Sequence, residues 1–210
     1  MSRREEAKEE RRQQILNAAR DIIRETGHIG LSMRSLSVAS NVSAATLYNL
    51  FGSKNEIVLQ LFNNNLADFA KLIEEAEPRD ALDRFFVSIH VACALYGREE
   101  RFFRTSFGLL FANDPENLHS GFLEPRVIFF RRLARQAVRE GWLDEKIDIN
   151  MLAVTSIHIF SHAIIDWIRN DIDLAGLERQ LNFSFALVLG GAATDKARAR
   201  VAAKLRDAMN

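Results

Sequence analysis

Between Ser32 and Phe51 two short helical patterns flank a tight turn, and few folds accommodate that arrangement. Ser32 stands where a helix N-cap would be, its hydroxyl able to accept a backbone N–H from the next turn. Met33, Leu36, Val38 and Ala39 are the candidate buried positions of the helix that follows. Ser40-Asn41-Val42-Ser43 reads as the turn, because asparagine tolerates the left-handed backbone such a turn demands. Ser43 can cap a further helix from Ala44 to Leu50, which Gly52-Ser53 ends. Ser53 and Glu56 form a capping-box pattern opening a helix from Lys54 to Glu75. Upstream, Ile15, Leu16, Ala18, Ala19, Ile22 and Ile23 recur at the spacing of a helix with one buried face, which stops at Gly27. His28 to Leu31 reads as a connector. Helix, turn and a short helix opening with small residues is the geometry of a helix-turn-helix. Ala44 and Ala45 would let its end approach base edges closely. Helical proteins that never touch DNA hold the same pair, so spacing alone leaves both readings open.

The remainder also predicts helix. Only 10 Gly and 3 Pro punctuate 210 residues, and the spacing gives body helices over Arg79–Tyr96, Glu99–Phe111, Pro115–Glu140, Asn150–Asn170, Leu174–Leu189 and Thr194–Ala208. Pro125 should interrupt the third of these, with a kink or break near Gly121 to Pro125. The expected fold is all-α. A single cysteine, Cys93, excludes an intramolecular disulfide and multi-thiolate metal fingers, and suits a reducing cytoplasm. The charged start MSRREEAKEERRQQ lacks the apolar stretch of a secretory signal. No apolar run approaches the ~20 residues of a membrane span, so a soluble, cytoplasmic chain without a membrane partner is expected. The formal net charge is zero, but from Arg11 to Lys54 six basic residues face only Asp21 and Glu25. A basic head on an acidic body is the distribution a nucleic-acid binder needs.

The stretch from Ile15 to Leu61, carrying ILNAARDIIRETG and then LSMRSLSVASNVSAATLYNLFGSKNEIV, resembles the DNA-binding head of the TetR (tetracycline-repressor) family of bacterial regulators. Its most specific piece is Ala45-Thr46-Leu47-Tyr48 followed by Phe51 and Lys54. Two positions depart from the family pattern: Asn41 replaces the usual turn glycine, and Leu50 takes a place often held by His or Tyr. The resemblance implies a DNA-binding domain over residues 1–54 and a ligand-binding and dimerisation domain over 55–210. It implies a homodimer on a double-stranded, palindromic DNA operator, by default a repressor, released by a small apolar effector. Whether ligand releases or strengthens DNA binding stays open. No cofactor is implied.

In that reading Ser32, Arg34, Ser43, Ala44, Ala45, Thr46, Tyr48, Asn49 and Lys54 face DNA, while Leu47 and Phe51 belong to the core. Arg34 is the candidate base reader, since a guanidinium can bond guanine O6 and N7 together. The body's many phenylalanines read one by one as core, but the resemblance implies a small-molecule pocket among them, apolar with a few polar groups. Its candidate lining is His90, Cys93, Tyr96, Phe103, Arg104, Phe107, Phe111, Phe130 and His158, with Ser106 a further candidate polar group. Ile157, Phe160, Ile164, Trp167, Leu181 and Phe185 are the candidate dimer contacts. His158, His162 and Asp166 share one helical face, a spacing that can hold zinc, but Ile159 stands where HExxH has its glutamate. A polar stripe is the favoured reading, with no metal. The chain shows no glycine-rich phosphate loop and no GxSxG elbow, so it does not read as an enzyme. A helical interaction or scaffold protein with little sequence-specific DNA binding is the rival. The basic residues of Thr194–Asn210 (Lys196, Arg198, Arg200, Lys204, Arg206) read as a solvated face.

Overall fold

In a computed structural model the described residues are 2–27, 30–113 and 118–209, and nearly all are helical. The helices are α1 (Arg3–Thr26), α2 (Met33–Ser40), α3 (Ala44–Phe51), α4 (Lys54–Glu75), α5 (Ala81–Arg98), α6 (Glu100–Asn113), α7 (Glu124–Arg139), α8 (Ile149–Ile168), α9 (Leu174–Gly191) and α10 (Asp195–Met209). A π-helical turn, Leu118–Leu123, leads into α7. The break expected near Gly121 to Pro125 falls where this turn meets α7, and Pro125 sits in the first turn of α7, where its missing N–H costs nothing. The helix start expected at Pro115, and His28 and Ile29 of the expected connector, lie outside the described residues. One correction concerns the membrane: α8 is long and apolar enough on average to span one, although polar residues interrupt its apolar run. Eight of its residues are buried within the chain, as befits a core helix.

The chain divides into two compact units, residues 1–66 with 99–122 and residues 67–98 with 123–210. In the first, α1 packs on α2 and α6, and α2 on α3. Ile15, Leu16, Ala19, Ile23, Leu31, Leu36, Leu47, Phe51, Ile57, Val58 and Leu61 are buried there. Arg24 clasps Glu99 through Nε (2.8 Å) and Nη2 (2.6 Å), fastening the end of α1 just before α6. Phe62, Phe103, Phe107, Phe111 and Phe122 form an aromatic cluster, with Phe122 edge-on to Phe62, Phe107 and Phe111 at 5.4–5.9 Å.

In the second unit α9 packs on α5, α8 and α10, and α7 on α5 and α8. Phe85, Phe130, Phe160 and Phe185 meet at its centre. Gly141, at φ 73°, turns the chain out of α7 in a left-handed conformation that glycine adopts freely. Leu143 then pairs with Ala193, so the loops before α8 and before α10 are stitched together. The cations of α10 are not a merely solvated face. Lys196 Nζ lies 3.8 Å from the Trp142 ring centre and Arg200 4.6 Å from it, while Lys204 covers Phe86. Arg200 also bonds Asp80 at 2.5 Å. Trp142 Nε1 donates to Glu140, which also accepts the backbone N–H of Ala81. Burial opposes ionisation of Glu140, but the bonds from Ala81, Gln136 and Trp142 outweigh it and hold the carboxyl below its ordinary range.

Trp142 is thus the platform on which α10 is held. Replacing it by leucine should destabilise the chain by about 1–2 kcal/mol, from two cation–π contacts and one hydrogen bond. Urea unfolding followed by circular dichroism measures this, and an unchanged midpoint would refute it.

Candidate nucleic-acid interface

The helix-turn-helix is built by its hydroxyls. Ser32 caps α2, its Oγ accepting from Ser35 N at 3.0 Å, and Ser35 Oγ accepts from Ser32 N in return. Asn41 takes the left-handed conformation (φ 51°, ψ 43°), and its N–H reaches the carbonyls of Ser37 and Val38. Ser37 Oγ donates to Val42 O at 2.5 Å, closing the turn from the other side. Ser43 Oγ accepts from Thr46 N at 3.1 Å and lies 2.9 Å from Thr46 Oγ1, capping α3. Of the capping box expected at the start of α4, half forms. Glu56 N donates to Ser53 Oγ, whereas the Glu56 carboxylate accepts from Gln60.

These caps orient α3. Leu47 and Phe51 are buried, and Ala44, Ala45, Tyr48 and Asn49 are exposed on the opposite side. Tyr48 is 55% exposed, a large aromatic left in water. Ser32, Arg34 and Ser43 are exposed, and Thr46 and Lys54 are half-buried. The nine residues expected to face DNA therefore all lie on α2, α3, their caps or the first residue of α4, and none is buried. Val38 corrects the reading of α2: it is 79% exposed, and Ser40 is buried in its stead with its hydroxyl on Leu36 O. Leu36 and Ser40 are four residues apart and share the inward face, while Val38, between them, points away. With Ile22, Thr26, Arg34 and Ala39, Val38 lines an apolar groove.

The residues expected to line a ligand pocket separate into three groups. Phe103 and Phe107 are buried and Phe111 half-buried in the aromatic cluster of the first unit, where Ser106 is fully buried too. Arg104, half-buried, bonds Glu100 at 2.7 Å. In the second unit Cys93 and Phe130 are buried, and Tyr96 stacks on Trp167 at 5.7 Å. His90 and His158 do not join them. Both are exposed, and His90 Nδ1 lies 2.9 Å from Glu178.

Arg126 was not among the expected residues, yet it belongs with Tyr96. Burial lowers its guanidinium to about 10, with the neighbouring Tyr96 opposing, and burial raises the Tyr96 phenol. The available signal was a lone cation between Phe122-Leu123 and Val127-Ile128-Phe129-Phe130.

The expected dimer contacts need correcting. Ile157, Phe160, Ile164, Trp167, Leu181 and Phe185 are at most 7% exposed inside a single copy, so they are core. What α8 and α9 leave open is Met151 (62% exposed), Phe183 (37%) and Leu187 (51%), with His158 and His162 exposed beside them. Asp166 accepts from Gln180, and among the described residues no three metal-binding side chains converge.

Residues 15–61 match the family described as bacterial regulatory proteins, tetR family. No curated protein matches the chain by sequence. Solved structures share its fold. FadR of Thermus thermophilus, a TetR-family transcriptional repressor in complex with lauroyl-CoA, is 19% identical, with a TM-score of 0.73 over 87% of this chain and 95% of that one. The fatty acid degradation regulator FadR of Bacillus halodurans is 18% identical, with a TM-score of 0.65 over 86% and 95%. SmeT, repressor of the Stenotrophomonas maltophilia multidrug efflux pump SmeDEF, is 19% identical, with a TM-score of 0.65 over 89% and 92%.

Cys93 is 2% exposed, and burial together with the charge of Glu178 pushes its thiol up to about 12. The reactive thiolate is therefore scarce at neutral pH. A thiol-specific disulfide reagent at pH 8 should label Cys93 only after denaturant is added, and rapid labelling of the native chain would contradict this placement.

Proposed function

We propose that the chain is a regulator of the TetR family: a ligand-responsive, sequence-specific DNA-binding protein, a homodimeric repressor and not an enzyme. Residues 1–54 act as the reading head and 55–210 as the ligand-binding and dimerisation body. The observation that carries this reading is the outward face of α3, where Ala44, Ala45, Tyr48 and Asn49 stand exposed on a helix whose other side is core.

In this proposal Ser32, Ser43, Thr46 and Lys54 bond phosphates and set register, helped by the positive N-terminal ends of α3 and α4. Arg34, Tyr48 and Asn49 read base edges, with Ala44 and Ala45 small enough to let the helix approach. Two heads spaced ~34–36 Å apart on one face of the duplex read a palindrome. The second copy packs on Met151, Phe183 and Leu187, which supply exposed apolar surface on α8 and α9, with the exposed polar rings of His158 and His162 on α8.

The effector is apolar in most of its length. Cys93, Tyr96, Phe130 and Trp167 offer it a lining in the second unit, and Arg126 beside Tyr96 suits an acidic end. The lauroyl-CoA bound by the Thermus thermophilus relative likewise combines an apolar acyl chain with an anionic group, although its coenzyme portion is polar. Ligand releases DNA by favouring a dimer whose heads are wrongly spaced, and it can do so only to the extent that it binds the two states unequally. The site of action is the cytoplasm, where the DNA is.

Selection of bound duplexes from a random library tests the core claim: a palindromic sequence should be enriched, and no enrichment would refute it. Against the enriched duplex, Tyr48→Ala should bind about tenfold more weakly in gel-shift titration with its melting temperature nearly unchanged; equal affinity would remove Tyr48 from the interface. Leu187→Glu should sediment as a monomer at micromolar concentration, where the parent chain sediments as a dimer. A dimeric variant would place the partner elsewhere.

A further inference from the structure

Arg12 lies on α1, a helix that places no residue in the proposed DNA-reading set, yet it grips the end of the recognition helix. Its Nη1 donates to Leu50 O at 2.7 Å, and its Nη2 donates to Gln60 Oε1 at 2.6 Å. Its guanidinium lies over the Phe51 ring, 4.7 Å from the centre. The last carbonyls of any helix lack partners inside it. In α3, Tyr48 O is taken by Gly52 N and Phe51 O by Ser53 N, leaving Leu50 O to Arg12. A cation at this end also suits the helix dipole. Two residues along α1, Gln14 Nε2 donates to Ser40 O at 3.1 Å, so the last turns of α2 and α3 are both tied to α1. Gln60 is itself steadied by Glu56, whose N–H rests on the Ser53 cap.

We propose that Arg12 is a positioning residue for DNA reading, acting through the Leu50 carbonyl and Gln60 and not on the nucleic acid. A planar fork with one branch on α3, one on α4 and its face on Phe51 resists both tilt and roll of α3. Hydrogen bonds to base edges fail within a few tenths of an ångström, whereas phosphate contacts made by long side chains follow a displaced helix. Loosening the fork therefore removes sequence preference before it removes general affinity. The inference rests on the DNA-reading proposal above.

The test uses the full chain, the duplex enriched by the parent protein and a scrambled duplex of equal length, each titrated at several salt concentrations. Arg12→Met should bind the enriched duplex about tenfold more weakly and the scrambled one almost as before, with an unchanged salt slope. A direct phosphate contact would instead weaken both and lower the slope by about 0.9. Arg12→Lys keeps the charge without the fork and should show most of the same loss; it also carries the test if circular dichroism shows Arg12→Met unfolded. Gln60→Met should shift in the same direction, and the double variant should be no weaker than Arg12→Met alone. Full affinity in Arg12→Lys, or equal losses on both duplexes with a shallower slope, would overturn the assignment while leaving the regulator reading intact. Failure of the parent chain to enrich any duplex would overturn both.

Discussion

Helices of eight residues do not persist alone in water, where ~12–15 residues is the marginal length. α2 and α3 are both of that size, and what keeps them helical is the burial of Leu36, Leu47 and Phe51. Everything else about the head follows from that apolar seat. Because Leu47 and Phe51 face inward, the positions on the other side of α3 face out, and serine and threonine hydroxyls then satisfy the backbone at each end. Removing the seat would not leave a weaker reading helix; it would leave none.

The same dependence explains why the head was legible in the sequence. N-caps, a left-handed asparagine and a glycine stop are local devices, so Ser32, Asn41, Ser43 and Gly52 mark the elements without knowledge of the rest of the chain. Val38 shows the limit of pattern reading in so short a helix. A valine and an alanine look like core, but the inward stripe has room for only Leu36 and Ser40, and the serine satisfies its own hydroxyl on Leu36 O.

The body was legible as helices but not as surfaces. Ile157, Phe160, Ile164 and Trp167 repeat at helical spacing, which shows that they share a face but not whether the chain's own helices or a second copy cover it. In the structure α7 and α9 cover it. Polar residues misled in the opposite sense: His90 and His158 stand among aromatics in sequence yet are exposed, while Arg126 is buried near enough to Tyr96 for the two to influence each other. Lys196 and Arg200 of α10 found their partners in Trp142 and Asp80, residues distant in sequence, which no local pattern could announce.

That Arg12 bonds a main-chain oxygen of α3 and lies on the inward-facing Phe51, and not on an outward side chain, bears on how such a head can change its target over generations. A grip on the backbone is indifferent to the identity of residue 50, so leucine can stand there without unseating the helix. Substitutions at Ala45, Tyr48 or Asn49 likewise leave the mounting untouched, because all three are exposed and none contributes to the seat. In the proposed reading, mounting and reading are thus separable traits, and selection can alter the text being read while inheriting the frame that holds the reader.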